Sequence, residues 1–129
     1  MNKLDKESVI GISALLVHAA NIDEIYSDHE KDLIKNFIKS YLKKEDENEI
    51  LKKAEEIENN SNQLLNYTNI IKDNTIEIKK DIIEHLWKVI ISDNTVDQYE
   101  SNLMRRICGL IYFPDKECAE IKLKLMNSK

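Results

Sequence analysis

The chain has very few of the residues that make tight turns. Its 129 residues include only two Gly and one Pro. Hairpins and β-sandwiches need such residues at many of their turns, because Gly supplies positive φ angles and Pro fixes φ in advance. The shortage therefore argues against a sheet-rich fold and favours helices.

Long apolar runs are also missing from the sequence. Charged residues interrupt every apolar stretch well before the roughly 18 residues that a membrane span needs. The first predicted helix begins within a few residues of Met1, without an apolar block of the signal-peptide type. We therefore expect a cytoplasmic protein with no transmembrane segment.

Cysteine and histidine show none of the spacings that mark a zinc site. Cys108 and Cys118 lack CxxC spacing and neighbouring His, so we expect small buried side chains of two late helices, with no further role. His18, His29 and His85 have no partner His at i+4. We expect surface or half-buried positions for these three side chains rather than zinc ligation.

Charge and length limit the class of protein further. The net charge is −5 and the Lys and Arg residues are scattered, which disfavours nucleic acid as a partner. Hydrophobic residues make up 42% and charged residues 33%, so the chain can bury a core beneath a solvated surface. A chain of this length is too short for two ordinary domains. We therefore expect one domain over residues 1–129.

Apolar residues recur at helical spacing along most of the chain, which predicts an all-α bundle of about seven helices. The most apolar helix, 76–91, is the candidate central helix, whereas the polar helix 47–58 is expected to be exposed. Asn60 and Asn74 each precede a Gln or Glu by three residues and are predicted N-caps. The predicted helices cover about 5–22, 27–43, 47–58, 61–71, 76–91, 97–111 and 114–126. The residues predicted to be largely buried in the core are Leu16, Leu33, Phe37, Leu86, Trp87, Ile90, Leu103 and Ile107.

Two parts of the chain repeat with an offset of 70 residues, which predicts two pseudo-symmetric helix–loop–helix units. The duplication is an internal pair and not a solenoid, which would need about three or more copies. The matched apolar positions are Ile12, Leu16, Ala19 and Ala20 with Ile82, Leu86, Val89 and Ile90, and then Leu33, Ile34, Phe37, Ile38 and Tyr41 with Leu103, Met104, Ile107, Cys108 and Ile111.

Each unit also carries an Asp and a Glu seven positions apart: Asp23 with Glu30, and Asp93 with Glu100. One interpretation is helix capping, because Ser27-x-x-Glu30 forms a capping box and Asp97 precedes Glu100 in the same way. Capping gives no reason for an Asp in each connection. The other interpretation is a cation site, since hard divalent ions take several carboxylate oxygens. The residues alone favour capping.

The fragment "LWKVIISDNTVDQYESNLMRRICGLIYFPDKE", 86–117, together with the duplicated Asp-x6-Glu, resembles the tellurite-resistance protein B (TerB-like) family. The resemblance covers nearly the whole chain and is more specific over 86–117 than over 15–38. A Gly usually follows the loop Asp in that family, where this chain has Glu24 and Asn94. Because Asn adopts the left-handed conformation more readily than Glu, we expect the second loop to be the stronger site.

The resemblance implies an all-helical bundle with a non-enzymatic role in metal or chemical stress responses. It also implies that the four acids bind a divalent cation such as Ca²⁺, Mg²⁺, Mn²⁺ or Zn²⁺, and that the partners are other proteins. The implied metal ligands are Asp23, Glu30, Asp93 and Glu100. An interaction scaffold whose acidic loops dock a basic partner without metal is the alternative function. Catalysis is not expected, because no nucleophile and base with an orienting acid can be recognised.

Overall fold

The computed structural model describes residues 4–21, 27–60, 64–91 and 98–127, with the side chains of 64–66 and 98–100 left aside. Within these residues all regular secondary structure is α-helical, so the predicted all-α bundle is confirmed. No helix among them is both long and apolar enough to cross a membrane. The helices are α1 (Lys6–Ala20), α2 (Asp28–Tyr41), α3 (Glu47–Asn60), α4 (Leu64–Lys72), α5 (Ile76–Ile91), α6 (Gln98–Leu110) and α7 (Asp115–Asn127).

The first helix occupies the centre of the bundle, and α5 packs beside it. Asp5 caps α1, as predicted, by accepting a 2.7 Å hydrogen bond from the Ser8 amide. Helices α2, α3, α4 and α5 all pack against α1, which buries its side chains almost all round from Val9 to Ala20. Gly11 faces α4, where an added Cβ would meet the end of the Ile70 side chain and that side chain would have to move. The central position predicted for α5 is therefore shared with α1.

Buried apolar side chains from all seven described helices form one hydrophobic cluster. The largest contributors include Phe37 from α2 and Leu86 from α5, which are both completely buried. Leu33, which was predicted to be in the core, is only partly buried and packs against the edge of the cluster. The other predicted core residues are buried, namely Leu16, Phe37, Leu86, Trp87, Ile90, Leu103 and Ile107.

The structure corrects three predictions about the middle of the chain. Helix α3 is not an exposed layer, because Ile50, Leu51 and Ala54 are buried where α3 packs on α1 and α2. Asn60 is the last residue of α3 and does not cap the next helix. Asn74 does not cap α5 either, since the Ile78 amide bonds to the Thr75 hydroxyl. Asn and Thr both suit an N-cap, so the spacing pattern alone could not choose between neighbours.

The starts of two pairs of described helices are separated by the predicted offset of 70 residues, but their ends are not. Helices α1 and α2 begin at 6 and 28, and α5 and α6 begin at 76 and 98. The packing agrees only in part: α3 packs on α1 and α2, and α7 packs on α5 and α6, but the packing of α1 on α2 has no counterpart of similar extent between the described residues of α5 and α6. The connections 22–26 and 92–97 lie outside the described residues. The predicted pseudo-symmetry of the two helix–loop–helix units therefore remains a prediction, to be tested by superposing residues 12–38 on 82–108.

Candidate functional site

The start of α2 contains the one predicted ligand whose side chain the structure describes. Glu30 Oε1 accepts hydrogen bonds from the Ser27 amide at 2.8 Å and from the Ser27 hydroxyl at 3.0 Å. The Glu30 amide in turn donates to Ser27 Oγ at 3.2 Å, which completes the predicted capping box. Glu30 is 7% exposed, so these contacts hold a nearly buried carboxylate at the beginning of the helix.

The other three predicted ligands cannot be placed relative to Glu30. Asp23 and Asp93 lie outside the described residues, in the α1–α2 and α5–α6 connections. Glu100 is the third residue of α6, as Glu30 is the third residue of α2, but its side chain is outside the description. Their assignment as metal ligands therefore stays a prediction.

The fit of a cation can be tested only on the described acids. Among the described His, Cys, Asp and Glu side chains, no group of three or more is arranged to hold a metal ion. Glu30 has the right chemistry, since a carboxylate oxygen is a preferred ligand of hard divalent ions. Its contacts with Ser27 show that one oxygen already serves as a cap.

A buried polar cluster that the sequence analysis missed lies at the end of α1. Glu58 of α3 is 7% exposed, and its Oε1 lies 3.0 Å from His18 Nδ1. Asn21, the C-cap residue of α1, donates from Nδ2 to the other Glu58 oxygen at 3.4 Å. Because Asn21 is the C-cap residue of α1, its hydrogen bond to Glu58 joins the end of α1 to α3.

The sequence did contain a signal for Glu58. It lies four residues after Ala54 and seven after Leu51, so it continues the buried stripe of α3. A carboxylate at a core position of a helix needs a partner, because burying a charge without one is costly. The half-buried positions of His18 and His85 agree with prediction, and His29 is exposed.

A second polar cluster lies between α2 and α5, beside an open cavity of about 470 Å³. Tyr41 donates a 2.6 Å hydrogen bond to Asp81, and His85 Nδ1 lies 2.8 Å from the Asp81 carbonyl oxygen. Burial, together with the hydrogen bond to Asp81, raises the pKa of the Tyr41 phenol. At neutral pH this phenol is a hydrogen-bond donor and not a base. The cluster therefore joins two helices and contains no activated nucleophile.

Comparison with known proteins assigns the family. Residues 10–123 match the family model described as tellurite resistance protein TerB. The chain belongs to the TerB family. No curated protein and no solved structure matches the chain. The TerB match begins within α1 and ends within α7, so it includes the capping box of α2 and the helix start that carries Glu100.

Proposed function

We propose that this chain is a non-enzymatic module of a tellurite-resistance-type stress response that binds a divalent cation through Asp23, Glu30, Asp93 and Glu100. The observation that supports the proposal is the spacing of these acids relative to the starts of α2 and α6. Glu30 and Glu100 are each the third residue of a helix, and each Asp lies five residues before the same helix. Membership in the TerB family supports the stress-response role.

The capping box gives Glu30 a defined position next to the α1–α2 connection. Two hydrogen bonds from Ser27 hold its carboxylate at the first turn of α2, and Asp23 lies four residues before Ser27. A carboxylate that is already ordered loses less side-chain entropy on binding a ligand than a mobile one. When bound, a divalent cation would supply positive charge that attracts both Asp23 of the α1–α2 connection and Glu30 at the start of α2.

Thermal melts of the full chain test this proposal. We expect Ca²⁺, Mg²⁺, Mn²⁺ or Zn²⁺ to raise the melting temperature above its value in chelator. An ion that binds only the folded state stabilises that state by about 2.7 kcal/mol when the free ion concentration is 100 times the Kd. Glu30→Gln combined with Glu100→Gln should abolish this rise, and Asp23→Asn combined with Asp93→Asn should do the same. The metal-free melting temperature should stay within a few degrees, since Gln can still accept the bonds from Ser27.

The matched control is Glu56→Gln, which makes the same change at an exposed position of α3. It should leave the metal-induced rise intact. Calorimetry that detects no divalent ion binding to the unmutated chain at millimolar concentration would overturn the cation proposal. The capping role of Glu30 would then be its whole function.

An interaction scaffold is the second candidate. Asp28, in the first turn of α2, is exposed beside the predicted acidic connection, on a chain of net charge −5. Such a surface attracts a basic partner and loses affinity as salt screens the charges. Binding of a Lys-rich peptide that weakens with salt, persists in chelator and falls in the Asp23→Asn and Asp93→Asn variant would favour this function. Equal binding by the variant would exclude the acidic loops as its surface.

A further inference from the structure

An open cavity of about 430 Å³ lies between α5, α6 and α7. Its floor consists of apolar side chains that belong to the hydrophobic core, namely Trp87, Met104 and Cys118. Both Cys108 and Cys118 are buried, as expected from the sequence, and Cys118 Sγ accepts a 3.3 Å hydrogen bond from Trp87 Nε1. The volume falls within the range of about 300–1,000 Å³ that is usual for small-molecule sites. A ligand in this cavity would therefore meet an apolar floor that the core holds in place.

Two positively charged side chains border the cavity. Arg105 of α6 is exposed, whereas Lys122 of α7 is half-buried, with its Nζ 5.4 Å from the centre of the Trp87 ring. This contact is a cation–π interaction, which holds the ammonium group beside the floor of the cavity. The chain as a whole has a net charge of −5, so two cations at one cavity differ from the overall charge. The cavity therefore combines an apolar floor with local positive charge.

One acidic side chain, Asp115, also borders the cavity. Asp115 is the first residue of α7, where its carboxylate is exposed and offsets the positive end of the helix dipole. Among the described residues, neither Arg105 nor Lys122 forms an ion pair with a carboxylate. An anion that enters the cavity therefore meets two cations without an ion-pair partner and one carboxylate.

Apolar surface continues from the cavity along α7. Ala119 lines the cavity, and Leu123 follows one helical turn later on the same side of the helix. Leu123 is 58% exposed, and Met126, three residues further on, is 43% exposed. Because these side chains follow directly from the cavity wall, they can cover the part of an apolar chain that reaches beyond the cavity. The surface therefore favours a ligand with an extended apolar body.

We propose that this cavity binds a small organic anion that has an alkyl chain, of the class of the medium-chain carboxylates. The alkyl chain lies on Trp87, Met104 and Ala119, and the carboxylate lies between Arg105 and Lys122. Removal of the alkyl chain from water supplies most of the binding free energy, because exposed ion pairs contribute little by themselves. The two cations supply selectivity for an anionic head group. A cation with the same alkyl chain meets two like charges and is disfavoured.

The proposed anion site is independent of the proposed cation site. None of the described side chains that line this cavity is one of the four acids assigned to the cation. All the binding experiments are made in chelator, so their outcome does not depend on a divalent ion. Either proposal can therefore fail without the other.

Titration of the full chain with octanoate, 1-octanol and octylammonium tests the proposal, because the three probes share one alkyl chain and differ in head-group charge. We expect calorimetry to show one octanoate bound per chain, with a saturable change in the emission of Trp87, the single tryptophan. Octanoate should bind about tenfold more tightly than octylammonium, since each exposed ion pair changes the affinity by up to about fivefold. No saturable binding of octanoate at millimolar concentration would overturn the proposal, as would equal binding of octanoate and octylammonium.

Two pairs of variants locate the head group. Arg105→Met and Lys122→Met each remove one cation but keep a long apolar side chain, so each should weaken octanoate binding about two- to fivefold and leave 1-octanol binding unchanged. Arg106→Met and Lys124→Met are the matched controls, because they change the net charge equally at exposed positions that do not line the cavity. Both controls should bind octanoate as the unmutated chain does. An equal loss in the controls would show that binding follows the overall charge, which would contradict this site.

A further pair of variants locates the alkyl chain. Ala119→Phe places a ring in the cavity from an exposed position, so binding of both octanoate and 1-octanol should be lost. Glu120→Phe adds the same ring at an exposed position of α7 that does not line the cavity, and it should leave 1-octanol binding intact. Undiminished octanoate binding by Ala119→Phe would overturn the proposal. Far-UV circular dichroism checks that each variant is folded, and the comparison of Arg105→Met with Arg106→Met decides the proposal if Ala119→Phe is not.

Discussion

The phenol of Tyr41 donates a 2.6 Å hydrogen bond to the carboxylate of Asp81 and so joins α2 to α5. The Tyr41 ring lies 5.2 Å from the ring of Phe37, which in turn meets His85 edge-on at 5.0 Å. Aromatic pairs at these separations add to the stability that comes from burial alone. The cluster therefore connects the first predicted helix–loop–helix unit to the second.

Removal of the Tyr41 hydroxyl should destabilise this contact. Tyr41→Phe keeps the ring but removes the hydrogen bond to Asp81 Oδ2, so we expect a loss of about 1–2 kcal/mol in the free energy of unfolding, measured with urea. Tyr112→Phe is the matched control, because Tyr112 is 68% exposed. It should change the free energy by less than about 0.5 kcal/mol. Equal effects of the two substitutions would contradict this role of the hydrogen bond.

The hydrogen bond between Tyr41 and Asp81 also makes part of the folding stability vary with pH in alkaline solution. Burial first, and the bond to Asp81 second, raise the pKa of Tyr41 above its ordinary value of 10.0. Because the folded-state pKa is the higher one, the contribution is complete below about pH 10 and is lost as the pH rises toward the folded-state pKa. The difference in unfolding free energy between the unmutated chain and Tyr41→Phe should therefore be constant below about pH 10 and shrink above it. A difference that stays constant in alkaline solution would contradict the raised pKa.

Local signals explain which helix boundaries could be predicted. Helix α5 runs from Ile76 to Ile91, as expected from a dense apolar pattern. The sequence predicts an exposed α3 because charged residues outnumber the narrow apolar stripe formed by Ile50, Leu51 and Ala54. Whether such a stripe is buried depends on which helices pack against it, and α1 and α2 do so here. Sequence periodicity gives the face of a helix but not its neighbours.

The core prediction can be tested at Leu86, which is completely buried in α5. Leu86→Ala should lower the free energy of unfolding by about 2–5 kcal/mol, because it removes buried methyl groups and leaves a cavity. Leu123→Ala makes the same change on α7 at a side chain that is 58% exposed. The control should cost less than about 1 kcal/mol. A loss at Leu86 no larger than that at Leu123 would place α5 outside the core.

The candidate site also contains one contact that the sequence predicts and one that it does not. The bond between Ser27 and Glu30 joins residues three apart, so the spacing alone predicted the capping box. The contact between His18 and Glu58 spans forty residues and depends on how α1 packs on α3. No short-range pattern contains that information. The cation site predicted at Asp23 and Asp93 needs the geometry of two connections that lie outside the described residues.

The buried Glu58 should contribute to stability because it accepts hydrogen bonds from two partly buried donors. Its Oε1 lies 3.0 Å from His18 Nδ1, and its Oε2 lies 3.4 Å from Asn21 Nδ2. Glu58→Ala leaves both donors without this acceptor, so we expect a loss of about 1–3 kcal/mol in the free energy of unfolding. Glu56→Ala is the matched control, since it makes the same change at an exposed position of α3 and should stay within about 0.5 kcal/mol.

A second substitution at Glu58 separates hydrogen bonding from charge. Glu58→Gln keeps an oxygen that accepts a hydrogen bond but removes the negative charge beside His18. If hydrogen bonding dominates, Glu58→Gln should cost clearly less than Glu58→Ala, because the Gln side-chain oxygen can still accept a hydrogen bond from His18 or Asn21. If the negative charge dominates, the two substitutions should cost about the same. Urea unfolding of the three chains measures this, and equal costs for Gln and Ala would contradict the hydrogen-bonding role.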